Sequence, residues 1–139
     1  SVLPLIREKY PNAIISVDTF RSSVARFAVA ECGADIINDI TGGEGDKNMF
    51  ATIAELRVPY ILMHMRGTPQ TMQAQTDYDN IITDIITYFS KKIDELHRLG
   101  VNDIILDPGI GFAKSLEQNY NIIKNLLGER NEKERRAYV

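Results

Sequence analysis

The chain has no tryptophan, a single cysteine and little excess charge: sixteen basic against nineteen acidic residues, a net charge of −3 over 139 residues. Each shortage excludes something. One thiol, Cys32, permits neither an internal disulfide nor a cysteine-based zinc site, and it suits a reducing compartment. Without a basic excess there is no electrostatic footprint for nucleic acid or anionic lipid, so neither partner is expected. No apolar run approaches the ~18–20 residues that a membrane helix requires. The first ten residues, Ser1 to Tyr10, lack the basic start and apolar core of a secretory leader. A cytoplasmic protein is the expectation. At 44% hydrophobic the composition is that of an ordinary globular domain, and the length allows only one.

What is present is a repeat of short apolar runs, each ending in a polar residue: Ile14–Asp18, Ile36–Asp39, Tyr60–His64 and Ile104–Asp107. Runs of four or five aliphatic or β-branched residues without strict alternation read as strands of a parallel sheet buried on both faces. Helical spacing fills the gaps. Ile81, Ile82, Ile85, Ile86, Phe89, Ile93 and Leu96 form one stripe between Asp77 and Leu99, with Thr76 and Asp79 spaced as a capping box and Gly100 as terminator. Gly33 ends the helical stretch over 22–32 in the same way. The two exits match: glycine, a short turn, aspartate, then paired isoleucines, at Gly33–Ile37 and Gly100–Ile105. Partial helices over Val2–Lys9 and Ser115–Leu127 flank the repeats. The charged stretch 128–139 reads as a solvated tail.

Alternating strands and helices predict an α/β fold of parallel βα repeats with right-handed crossovers. A small doubly wound sheet fits the length; a (β/α)8 barrel needs about 200–250 residues, so the chain would be part of one. In either architecture the strand C-termini share an edge, which would gather Asp18, Asn38, Asp39, His64 and Asp107 on one face. The competing reading is that each aspartate simply caps the next helix. The segments after the strands are unusually polar or glycine-rich: Thr41–Gly45, flexible enough to approach a ligand; the ten residues from His64 to Gln73; and the turn Asp107–Lys114. Dinucleotide and P-loop signatures fail, because Lys114 stands where a third glycine belongs and Pro108 and Ala113 where P-loop glycines would be. His64 and His97 lie 33 residues apart, with His97 on the polar side of the long helix, so a metal pair is not expected.

Four stretches, in order and in register, resemble dihydropteroate synthase of the pterin-binding TIM-barrel family: Ser16–Thr19, Ile36–Ile40, Met63–Gln73, and Asp107–Phe112 with Lys114. The resemblance implies a pterin-binding domain fragment over 1–127, covering about four of eight barrel units, strands three to six. It implies a transferase of folate biosynthesis, and a sulfonamide target. Such an enzyme joins 6-hydroxymethyl-7,8-dihydropterin pyrophosphate to p-aminobenzoate and releases pyrophosphate. By position, Asp18, Asn38 and Asp107 would meet the polar edge of the pterin, with Asp18 and Asp107 favouring the positive charge that develops on it. Ile40 and Met63 would pack on the ring, and Gly111 and Phe112 would border the p-aminobenzoate side. Mg2+ is implied by the family, but its usual ligand segment is absent from this chain, as are the closing loops and the anion site. Binding with poor turnover is therefore expected, with pairing of copies through open sheet edges. Two alternatives stand beside this reading: a methyltetrahydrofolate methyltransferase-like pterin domain, and a non-catalytic small α/β binding module.

Overall fold

The computed structural model describes residues 2–66 and 78–127. The order is α1 (Leu3–Lys9), β1 (Ser16–Asp18), α2 (Ser22–Cys32), β2 (Ile36–Asp39), α3 (Met49–Leu56), β3 (Tyr60–Met63), α4 (Ile81–Arg98), β4 (Ile104–Asp107) and α5 (Leu116–Leu127). The four strands form one parallel sheet in sequence order, β1-β2-β3-β4, so β1 and β4 are its edges. Strand, helix and strand alternate as the apolar runs predict. The tail over 128–139 lies outside the described residues.

Register fixes which side chains share a face. Val17 pairs with Ile37, Ile37 with Tyr60 and Tyr60 with Ile104; Asp39 pairs with Leu62, and Leu62 with Leu106. The apolar members of this set make the sheet's contribution to the core, against Ala25 of α2, Met49, Phe50 and Ile53 of α3, Ile81, Ile85, Phe89 and Leu96 of α4, and Ile122 of α5. The alternate set faces the other way: Asp18, Asn38, Ile61 and Ile105 form one continuous row, and Met63 pairs with Asp107 beyond it. Ile105 is 47% exposed there. The expectation of strands buried on both faces is thus corrected: among the described residues one face is covered, while on the other Ser16, Asp18 and Ile105 are exposed and Met63 is buried.

Helix ends follow local chemistry. Gly33 and Gly100 adopt left-handed φ of 70° and 83°. That conformation ends a helix and turns the chain back to the sheet. Beside the first exit, Arg7 of α1 donates to the Asp35 carboxylate and the Gly33 carbonyl, each at 2.6 Å. The Asp35 carboxyl is held below its usual range, first by the Ile15 amide and then by Arg7. At α4 the sequence expectation shifts. The helix begins at Ile81, and its cap is Asn80, whose side chain accepts from the amides of Ile82 and Thr83 at 3.1 Å. Thr76, half of the expected capping box, lies outside the described residues. Ile86 is 60% exposed, so the core takes Ile85 and leaves its neighbour on the outer side.

Candidate functional site

The open face carries the polar groups that could hold a ligand. Asp18 ends β1 and Asn38 stands opposite it on β2, and the Asn38 amide donates to the Asp18 carboxylate at 2.6 Å. That bond commits the nitrogen of Asn38 and turns its oxygen away. The oxygen is buried and accepts from no donor among the described residues. A buried acceptor without a partner costs about 1–3 kcal/mol, so it marks a place where a donor is wanted. Asp107 lies on the same face, one pair further along, beside Met63. One Asp107 oxygen accepts the Gly109 amide at 2.8 Å; among the described residues nothing donates to the other.

The remaining expected residues surround these three unevenly. Ile40 follows β2 and is half-buried. Met63 is buried, 2% exposed, with a Cβ on Gly109 lying 3.2 Å from its Cγ. Gly111 is exposed at φ 85°, and a Cβ there would meet nothing within 4 Å. Phe112 is half-buried and closes a turn by donating its amide to the Gly109 carbonyl at 3.0 Å. The structure therefore places Asp18, Asn38, Met63 and Asp107 on one face, with Gly111 and Phe112 in the turn directly after Asp107.

Two strand-end groups expected at this edge are not part of it. Asp39 is fully buried on the helix side, its oxygens accepting from the Thr41 amide and hydroxyl (2.8 and 2.7 Å), the Gly43 amide (2.9 Å) and the Tyr60 hydroxyl (2.7 Å). Adjacent residues of a strand point to opposite faces, so Asn38 and Asp39 could not both join the site. Burial, and the carboxylate beside it, push the Tyr60 hydroxyl well above its usual range and keep it a donor. His64 is also buried, ringed by Tyr78, Tyr88 and Phe89. Burial, and then the positive charges of Lys114 and Arg66, lower its imidazole to about 4, so it is neutral at pH 7.

The glycine loop at Thr41–Gly45 also has a different purpose from the one expected. A Cβ on Gly42 would lie 1.8 Å from the Tyr88 hydroxyl, and one on Gly43 2.4 Å from the Phe50 ring. These glycines admit helix side chains rather than a ligand. Lys92 of α4 adds an ion pair to Glu44 and lies over the Phe50 and Tyr88 rings.

One residue of the site region carries no role in the sequence reading. Lys114 is 6% exposed, and its ammonium donates to three main-chain carbonyls: Phe112 (2.8 Å), Gly109 (2.9 Å) and His64 (3.2 Å). In the sequence it stands two residues past a glycine-framed aromatic and within a family-like stretch, with no role attached. The segment 67–77, most of the expected polar loop, lies outside the described residues. No three His, Cys, Asp or Glu side chains gather as a metal-ligand set among the described residues. Among the described residues no side-chain set fits the implied Mg2+. No described helix is long and apolar enough to cross a membrane.

Comparison with known proteins converges on one family. The pterin binding enzyme family matches residues 1–138. The dihydropteroate synthase of Synechocystis is 47% identical over 114 residues, which cover 81% of this chain and 39% of that protein. A folic acid synthesis protein of Pneumocystis carinii is 44% identical, covering 88% of this chain and 17% of its own length. Among solved structures, wild-type Plasmodium falciparum HPPK-DHPS with pteroate superposes with a TM-score of 0.82 at 31% identity, over 90% of this chain and 24% of that one. The chain thus spans less than half the length of these relatives.

Proposed function

This chain belongs to the pterin binding enzyme family, and from that premise we propose that its open sheet face is the pterin site of a dihydropteroate synthase. The observation that carries this reading is the Asn38 oxygen, buried beside Asp18 with no donor among the described residues, on the face that also bears Asp107. A pterin edge alternates N–H donors with ring acceptors. Two carboxylates and one amide oxygen complement its donors; Ile40, Ile61 and Ile105 supply apolar surface for the ring, with Met63 packed beneath it.

In the reaction the amine of p-aminobenzoate forms a C–N bond at the pterin methylene carbon as the C–O bond to pyrophosphate breaks. Pyrophosphate leaves with the electron pair of that bond, and the amine proton passes to solvent or to the leaving group. Positive charge grows on the pterin methylene as the leaving group departs. Asp18 and Asp107, fixed before the reaction begins, favour that charge. Gly111, with open space around it, and Phe112 border the side from which p-aminobenzoate approaches. A cytoplasmic setting belongs to the same reading.

Calorimetric titration with a soluble pterin tests the assignment. Saturable one-site binding is expected, lost in Asp107→Asn and weakened by about 1–3 kcal/mol in Asn38→Ala. Binding by Asp107→Asn equal to wild type would refute the site. Among the described residues β1 and β4 have no outer neighbour, and such edges favour pairing of two copies. A monodisperse monomer by light scattering at tens of micromolar would dispose of that.

A further inference from the structure

Two separate chain segments frame the upper part of the site: the end of β3, with Met63 and the main chain of His64, and the turn after β4, with Asp107, Gly109 and Phe112. Where the β3–β4 ladder ends, the His64 amide donates to the Asp107 carbonyl at 2.8 Å. Above that bond the segments touch closely, for a Cβ on Gly109 would lie 2.2 Å from the His64 carbonyl. Lys114 is the side chain that closes this junction. Its three protons go to carbonyls of both segments, one to His64 and two to the turn. Among the described residues its ammonium is in no ion pair, although the Asp107 charge favours its protonated form. A buried cation held by neutral acceptors is a costly way to fill space, which an apolar side chain would do better.

We propose that Lys114 is a positioning residue of this site, its ammonium fastening the β3 end to the turn after β4 so that Met63 and Asp107 are held in one ligand-binding arrangement. The inference rests on the pterin reading of the open face. Lys114 itself reaches no ligand; it acts through the carbonyls it grips. Three carbonyls need three protons, and a neutral amine has two. Burial lowers the lysine to about 8, with Asp107 opposing. Asp107 at the β4 end and His64 beyond β3 are the titratable groups that face it among the described residues. Mild alkali therefore removes one of the three bonds. Affinity and stability then part company. Between about 8 and the ~10.4 of an unfolded lysine the unfolded chain binds the extra proton, so the fold gains stability with rising pH while the site loosens.

The experiment uses the 139-residue chain and its Lys114→Met variant, each titrated with a soluble pterin from pH 6.5 to 9.5. At pH 7 the variant is expected to bind about tenfold more weakly, the scale of a lost charge-assisted bond. The wild-type advantage should shrink as pH passes 8. Any titration of the pterin cancels in this ratio. Equal affinities at pH 7, or a ratio that does not change with pH, would overturn the assignment. Carbonyl-carbon resonances of ligand-free wild type give a second readout that does not depend on the variant folding. Those of His64, Gly109 and Phe112 should shift together with one midpoint near 8; independent or absent shifts would overturn it. A common midpoint in a chain that binds no pterin would instead refute the pterin reading and leave the tie between the two segments standing.

Discussion

Two loops of this protein are written alike and built for opposite ends. Each follows a strand that finishes in aspartate, and each is framed by glycines: Thr41–Gly45 after Asp39, and Pro108–Phe112 after Asp107. The first turns inward. Its aspartate is saturated by four donors, and its glycines make room for Tyr88 and Phe50. The second turns outward, with one aspartate oxygen bonded to Gly109, the other without a donor among the described residues, and Gly111 surrounded by open space. A strand-end carboxylate is thus a site group only if register puts it on the open face. Turned inward and saturated with donors, the same residue type is a structural rivet.

Substitution of the two aspartates should separate these roles most widely. Asp39→Ala strands four buried donors, including the Tyr60 hydroxyl. It is expected to cost about 4 kcal/mol, the range for removing one partner of a buried charged network. Asp107→Ala removes one hydrogen bond to Gly109 and should cost about 1 kcal/mol of stability while abolishing pterin binding. Thermal unfolding together with calorimetry measures both. A smaller stability loss for Asp39→Ala than for Asp107→Ala would erase the contrast.

His64 lies between the loops, its ring on Tyr88 and its carbonyl on Lys114. Its folded imidazole takes a proton only near 4, whereas the unfolded chain does so near 6.5, so the unfolded state binds the extra proton between those values. Stability should fall as pH drops from 6.5 to 4, by on the order of 3 kcal/mol, and this part of it should be flat above 7. Chemical denaturation across that range checks it. An acid loss unchanged in His64→Phe would assign the effect elsewhere.

Two glycines sharpen the contrast between the loops themselves. Gly111→Ala faces only the left-handed φ and should cost about 1 kcal/mol. Gly42→Ala bears the same backbone cost, and its Cβ would also lie 2.8 Å from the Met63 carbonyl and closer still to the Tyr88 hydroxyl. That crowding should add about 2 kcal/mol. Equal costs by denaturant titration would show that Tyr88 swings aside freely.

The parallel repeat is legible because strand and helix periods differ and the two glycine exits mark where one gives way to the other. Legibility stops where tertiary contacts decide. Asn38 and Asp39 are adjacent polar residues, and which of them faces the site follows from pairing with β1 and β3, not from anything local. Ile85 and Ile86 pose the same choice on α4, and helix packing settles it. The start of α4 departs from the sequence expectation because Asn80 competes as a cap and wins. The role of Lys114 escapes a sequence reading because its long side chain reaches the His64 carbonyl, fifty positions away, which no spacing rule anticipates.

The row that begins with Asp18 and Asn38 continues into Ile61 and Ile105, and Asp107 stands off that row beside Met63. Three polar points on a surface, unequally spaced and not in line, form a figure that cannot be laid on its mirror image. A flat ring that satisfies all three can do so with one of its sides against the sheet; turned over, its polar edge would meet isoleucine. The sheet thus tells left from right in a molecule that is itself nearly planar, and so chooses the side from which a second reactant can arrive.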